Sequence, residues 1–122
     1  MTTFTTQPLL ENVIYGTASG NYDGSSQDWY SDPVPAANYY GGQGNLQTIT
    51  YRVTGFSGRI VMQATLNDLV DQAHWFDIDT YDRSDEIITD YHPVSITGNF
   101  TWLRARVELF DSGEIQFITV SY

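Results

Sequence analysis

Cysteine is absent from the chain, so disulfide frameworks, thiolate metal sites and cysteine nucleophiles are excluded at the outset. Lysine is absent as well. Arginine supplies all 5 basic residues against 15 acidic ones, giving a formal charge of −10 and a pI near 4.1. A chain so charged repels a phosphate backbone and has no basic stripe with which to release counterions. Neither nucleic acid nor an anionic membrane is therefore an expected partner. Long apolar runs are missing too: no stretch approaches the roughly 18 residues that would cross a bilayer. The opening Met1 to Pro8 has neither a basic region nor an apolar one, which predicts a chain made in the cytoplasm and not exported.

What the sequence does have is aromatic residues, 15% of the total, with 9 Tyr and 3 Trp. Aromatic and β-branched residues suit a pleated, half-buried surface, and the chain reads as strands. Its length, 122 residues, fits one domain with one core. The clearest alternation runs from Leu46 to Phe56, with Ile49, Tyr51 and Val53 pointing inward. Gly55 to Gly58 then reads as a hairpin turn into Arg59 to Leu66, whose inward set is Ile60, Met62, Ala64 and Leu66. Further strands are expected over 75–81, 86–91 and 94–97. Phe100 to Phe110, with Leu103, Ala105, Val107 and Leu109 as its core face, should turn at Asp111-Ser112-Gly113 into a last strand ending at Tyr122. Seven or eight short strands spaced about ten residues apart predict an all-β, antiparallel, jelly-roll-like β-sandwich.

The N-terminal part divides differently. Residues 9–15 read as an edge strand. Gly16 to Asn45 is a long segment rich in Gly, Ser, Asp and Pro, carrying Tyr22, Trp29, Tyr30, Tyr39 and Tyr40. Thirty residues without periodicity are unusual inside a compact domain. The expectation is a single domain in two parts, an arm and aromatic loop over 1–45 and a sandwich core over 46–122, with the core folding even when the arm is removed. Tyr and Trp combine an apolar body with a polar handle and anchor protein interfaces, so these five aromatics are the binding candidates. Packing on the sandwich is as good a reading, and stacking surfaces for a glycan are the lesser alternative.

Catalytic and metal motifs are sparse. Asp77, Asp79, Asp82, Asp85 and Glu86 form an acidic cluster, and on a regular strand Asp77 and Asp79 would share one face, the arrangement a small hydrolase or a bound cation needs. With Ile78 on the core face the acids would face water, and a solvated strand surface accounts for them without further assumption. Asn21 to Asp32 has oxygen ligands at some EF-hand positions, but Gly24 falls at position 4 and the closing Glu is replaced, so an ordinary Asx turn is expected. His74 and His92 have no metal-ligand spacing. Asn99-Phe100-Thr101 matches a glycosylation acceptor only in form. No catalytic residue, metal or cofactor is predicted, and the chain reads as non-enzymatic.

One resemblance narrows this further. It rests on Tyr39-Tyr40-Gly41, on Leu46 through Gln63-Ala64-Thr65-Leu66, and on Trp75-Phe76-Asp77-Ile78. It continues with Thr97-Gly98-Asn99-Phe100-Thr101-Trp102-Leu103-Arg104-Ala105 and ends at Ser112-Gly113-Glu114-Ile115. Taken in order, these resemble small virion structural proteins of tailed phages, especially myoviruses of cyanobacteria and other marine bacteria. The likeness spans about residues 38 to 122. It implies a capsid decoration, neck or tail component of a virion, with other virion proteins and copies of itself as partners. A glycan-binding module of a tail fibre is the alternative it leaves.

Overall fold

The structure is a computed structural model and describes residues 6–38, 45–67 and 74–122. Four strands carry the fold: β1 (Thr6–Ile14), β4 (Leu46–Thr65), β5 (Phe76–Thr97) and β6 (Trp102–Ser121), with the two-residue β2 (Trp29–Tyr30) and β3 (Val34–Pro35) between the first two. They form one antiparallel sheet in the order β1-β6-β4-β5, and β2 and β3 add to β6. The all-β, sandwich-like class expected from the alternation is therefore what the chain adopts. Its strands are fewer and much longer than expected.

Neither predicted hairpin exists. Gly55 to Gly58 lies inside β4, and Asp111 to Gly113 lies inside β6. Both places bend the strand instead of reversing it. Gly55 (φ 58°), Leu109 (φ 54°) and Gly113 (φ 84°) adopt left-handed backbone, and the pairing of β4 slips between Val53 and Gly58 against β5 and between Thr54 and Arg59 against β6. A bulge inserts residues on one strand, bends it and raises its twist. Here the bends lie side by side in three neighbouring strands, so the whole sheet turns a corner.

The first half of β4 pairs with the second halves of β5 and β6, and its second half with their first halves. The two halves then face each other. Tyr51, which pairs with His92, stacks on Tyr81, which pairs with Ile60, their ring centroids 5.0 Å apart and nearly parallel. One core fills the fold, joining Ile49, Tyr51 and Val53 to Phe56, Ile60, Met62, Leu103, Val107, Phe110, Ile115 and Ile118.

The bends also reset which residues face inward. Leu103, Ala105 and Val107 are buried as the alternation predicts, but Leu109 is 42% exposed and the adjacent Phe110 is fully buried, because the left-handed step at Leu109 shifts the alternation by one. Leu66, expected inside, lies beyond the end of β4 and is exposed.

The N-terminal third is part of the same body. β1 pairs with the second half of β6 from Thr6 opposite Ser121 to Ile14 opposite Glu114, and Leu9 and Val13 enter the core. Among the described residues, β1, β2 and β3 all pair with β6.

Two tyrosine hydroxyls tie the facing halves together. Tyr51 donates to Asp79 at 2.8 Å and Tyr81 to Asp90 at 2.9 Å. Burial, followed by the neighbouring carboxylate, pushes both hydroxyls well above the ordinary tyrosine range. A hydroxyl that holds its proton more tightly folded than unfolded contributes stability that is complete below about pH 10 and is lost as pH rises beyond it. The urea midpoint should therefore fall steeply as the pH rises above about 10. Each of the two hydroxyls contributes a slope of at most about 1.4 kcal/mol per pH unit. Tyr51→Phe should flatten that fall, and equal slopes in the two proteins would refute the assignment.

Candidate interaction surface

Residues 16–38 do not hang free. Asp23 builds an Asx turn, accepting from the backbone N–H of Ser25 and Ser26 and from the Ser26 hydroxyl. The Ser26 hydroxyl and these amides hold the Asp23 carboxyl down to about 2, so the turn stays bonded until the pH falls toward that value. Asn21 reaches the Tyr30 carbonyl and Asp32. The segment is then laced to β6: Phe110 N–H donates to Gln27 O, Leu109 N–H to Asp28 Oδ1, Ser31 N–H to Ala105 O, and Ala105 N–H to Ser31 Oγ.

This lacing divides the candidate aromatics. Tyr22 is 1% exposed and Trp29 7% exposed, and both rings pack on Phe110. Both are core residues, and in this fold they present almost no surface that a partner could reach. Tyr30, next along the strand, points the other way and is 45% exposed. Tyr39 and Tyr40 lie outside the described residues.

Tyr30 stands on the outer face of the first half of β6. There the Arg104 guanidinium sits over the Tyr30 ring and over the Trp75 ring, 4.4 Å from each centroid. Its Nε donates to Gln63 Oε1 at 2.8 Å, and Gln63 Nε2 in turn donates to Asp77 Oδ1 at 2.9 Å. Each layer of this Tyr30–Arg104–Trp75 stack comes from a different part of the chain: β2, β6 and the residue before β5. Beside it, Arg106 approaches Asp77 and Glu108, and Arg59 approaches Glu108 and Asp82. Exposed pairs of this kind contribute little each, but together they hold the side chains in one arrangement.

Of these residues the sequence alone singles out Tyr30 and not Trp75, Arg104 or Gln63. Their partnership depends on a register that pairs Gln63 with both Asp77 and Arg104. The alternation of β4 did place Gln63 opposite Met62, on this outer face.

The acidic cluster does not assemble into paired carboxylates. Pairing slips between Met62 and Gln63, so that Asp79 sits opposite Met62 and Asp77 opposite Gln63, with Ile78 as the extra residue. Cross-strand partners share a face, hence Asp79 turns inward to Tyr51 and Asp77 outward to Gln63 and Arg106. The single face that a dicarboxylate mechanism requires is absent here. Asp82, Asp85 and Glu86 line an excursion of β5 with Arg83 and Ser84. Hydrogen bonds from Ser84 lower the Asp82 pKa. Among the described residues no group of three or more His, Asp or Glu side chains is placed to hold a metal ion.

No protein-family model matches this chain, and no curated protein matches it.

Proposed function

We propose that this chain is a structural protein of a tailed-phage virion, a capsid decoration, neck or tail component that acts by protein–protein assembly and not by catalysis. The Tyr30–Arg104–Trp75 stack carries the assembly half of this reading. Trp, Tyr and Arg are the residues that dominate binding energy at protein interfaces, and here all three stand on one outer face, already ordered. Side chains held before binding lose little entropy when a partner arrives. The phage half rests on the resemblance of residues 38 to 122, and the expected site of action is the virion.

The test is incorporation into particles. With Tyr30 and Trp75 both replaced by alanine, the protein should keep a cooperative melt while its copy number per particle falls roughly tenfold or more, as loss of about 1.4 kcal/mol or more at the interface requires. Normal incorporation would remove the stack from the interface, and absence of the wild-type protein from purified particles would overturn the virion reading itself. A glycan-binding module of a tail fibre is the second reading, favoured by the exposed Tyr30 ring. Saturable change in tryptophan fluorescence with host polysaccharide, lost in the same double variant, is the result that would favour it.

A further inference from the structure

Arg104 differs from the other charged residues around it. Arg59, Arg83 and Arg106 each lie within 4.0 Å of a carboxylate, in a chain with three acidic residues for every basic one. Arg52 and Arg104 have no carboxylate within that distance among the described residues, and of the two only Arg104 lies over two rings, 4.4 Å from each, where Arg52 lies 5.9 Å from one. The charge of Arg104 is partly withdrawn from water, and that desolvation, with a smaller effect from Arg106, lowers its pKa. The guanidinium plane is fixed by the two rings and its rotation by the Nε–Gln63 bond. Among the described residues nothing accepts from its two Nη groups.

We propose that Arg104 receives a carboxylate of a partner polypeptide, an Asp or Glu side chain or a chain terminus. The proposal rests on the assembly reading above and names the chemistry of its partner. A planar fork held in one orientation matches the two oxygens of a carboxylate, and such bidentate bonds are among the stronger polar contacts available. Tyr30 and Trp75 would wall the pair off from water and strengthen it. Phosphate polymers and acidic polysaccharides fit less well, because a chain of charge −10 repels every further anion they bring. A single carboxylate meets that repulsion once.

The experiment uses the full chain with 15N-labelled arginine and tryptophan. N-acetylglutamate α-amide, which carries one side-chain carboxylate, is titrated while the Arg104 guanidinium and Trp75 indole signals are followed by NMR. Saturable shifts in both are expected, with a dissociation constant on the order of 1–10 mM for one isolated contact. Glucuronate should give a smaller response and inorganic phosphate none beyond ionic strength. In Arg104→Lys, which keeps the charge but not the fork, the Trp75 signal should not respond to the glutamate probe. The proposal is overturned by no response at 100 mM probe, by an equal response in Arg104→Lys, or by a stronger response to glucuronate or phosphate. None of these outcomes bears on whether the protein enters particles, so the assembly reading is judged separately by incorporation.

Discussion

Gly113→Ala is expected to abolish or severely weaken folding. Gly113 has φ 84° in the middle of β6, and a Cβ built there would fall on the Gly55 carbonyl and 2.6 Å from Thr54 O. Those obstacles are backbone, so relief means moving β4 away from β6 at the corner where both strands bend. Left-handed backbone alone costs a side-chain-bearing residue about 1–2 kcal/mol; displaced strands and broken ladder bonds add to that, for a total on the order of 4 kcal/mol or more. Gly20 separates the two contributions. It also has positive φ, 57°, but open space where its Cβ would go, so Gly20→Ala should cost only about 1–2 kcal/mol. Urea unfolding of the two variants is the comparison. If Gly113→Ala is no less stable than Gly20→Ala, the close approach of the strands at the corner is wrong.

That corner also explains what the sequence could and could not show. Alternation around Tyr51 and Ala105 reads correctly because each lies in a half-strand with one face on the core. Gly55-Phe56-Ser57-Gly58 and Asp111-Ser112-Gly113 read as hairpin turns because glycines beside polar residues supply left-handed backbone to turns and bulges alike. Telling the two apart requires knowing what lies across the ladder. Gly113 bends β6 because it abuts Gly55 of β4, a contact between residues far apart in sequence. Twenty-residue strands are also several times the usual length of about 5–6 residues, so every local rule favours cutting them.

The surface was legible to a similar depth. Trp29 and Tyr30 are adjacent aromatics in an irregular segment, and nothing local says that one belongs to the core and the other to the solvent. Their pairing with Val107 and Arg106 decides it, since Val107 faces inward and Arg106 outward. Asp77 and Asp79 illustrate the reverse failure: period-2 reasoning joined them, and one extra residue in the pairing separates them. Gln63, which the alternation of β4 sets on the face opposite Met62, links Asp77 to Arg104. Such links follow from register, and register follows from the bulges.

Deleting residues 1–15 should leave a chain that does not fold cooperatively. β1 covers the second half of β6, whose other side pairs with β4. Its loss takes Leu9 and Val13 from the core, each worth about 1.5–3 kcal/mol, and with Tyr15 goes the 2.8 Å bond from its backbone N–H to Gly113 O beside the corner. It also uncovers a row of main-chain donors and acceptors along β6. Against a total stability of about 5–15 kcal/mol these losses are close to the whole. Circular dichroism should show no sharp thermal transition, and the protein should aggregate through the freed edge. A cooperative melt near that of the full chain would mean that the N-terminal third is an appendage after all. Complementation makes the test two-sided: a synthetic peptide of residues 1–15 should restore the transition by pairing in the β1 register, whereas the same peptide with Leu9 and Val13 replaced by serine should not. Rescue by both peptides would place the contribution of β1 in its main-chain bonds alone, and rescue by neither would mean that the truncated chain is trapped before the strand can add.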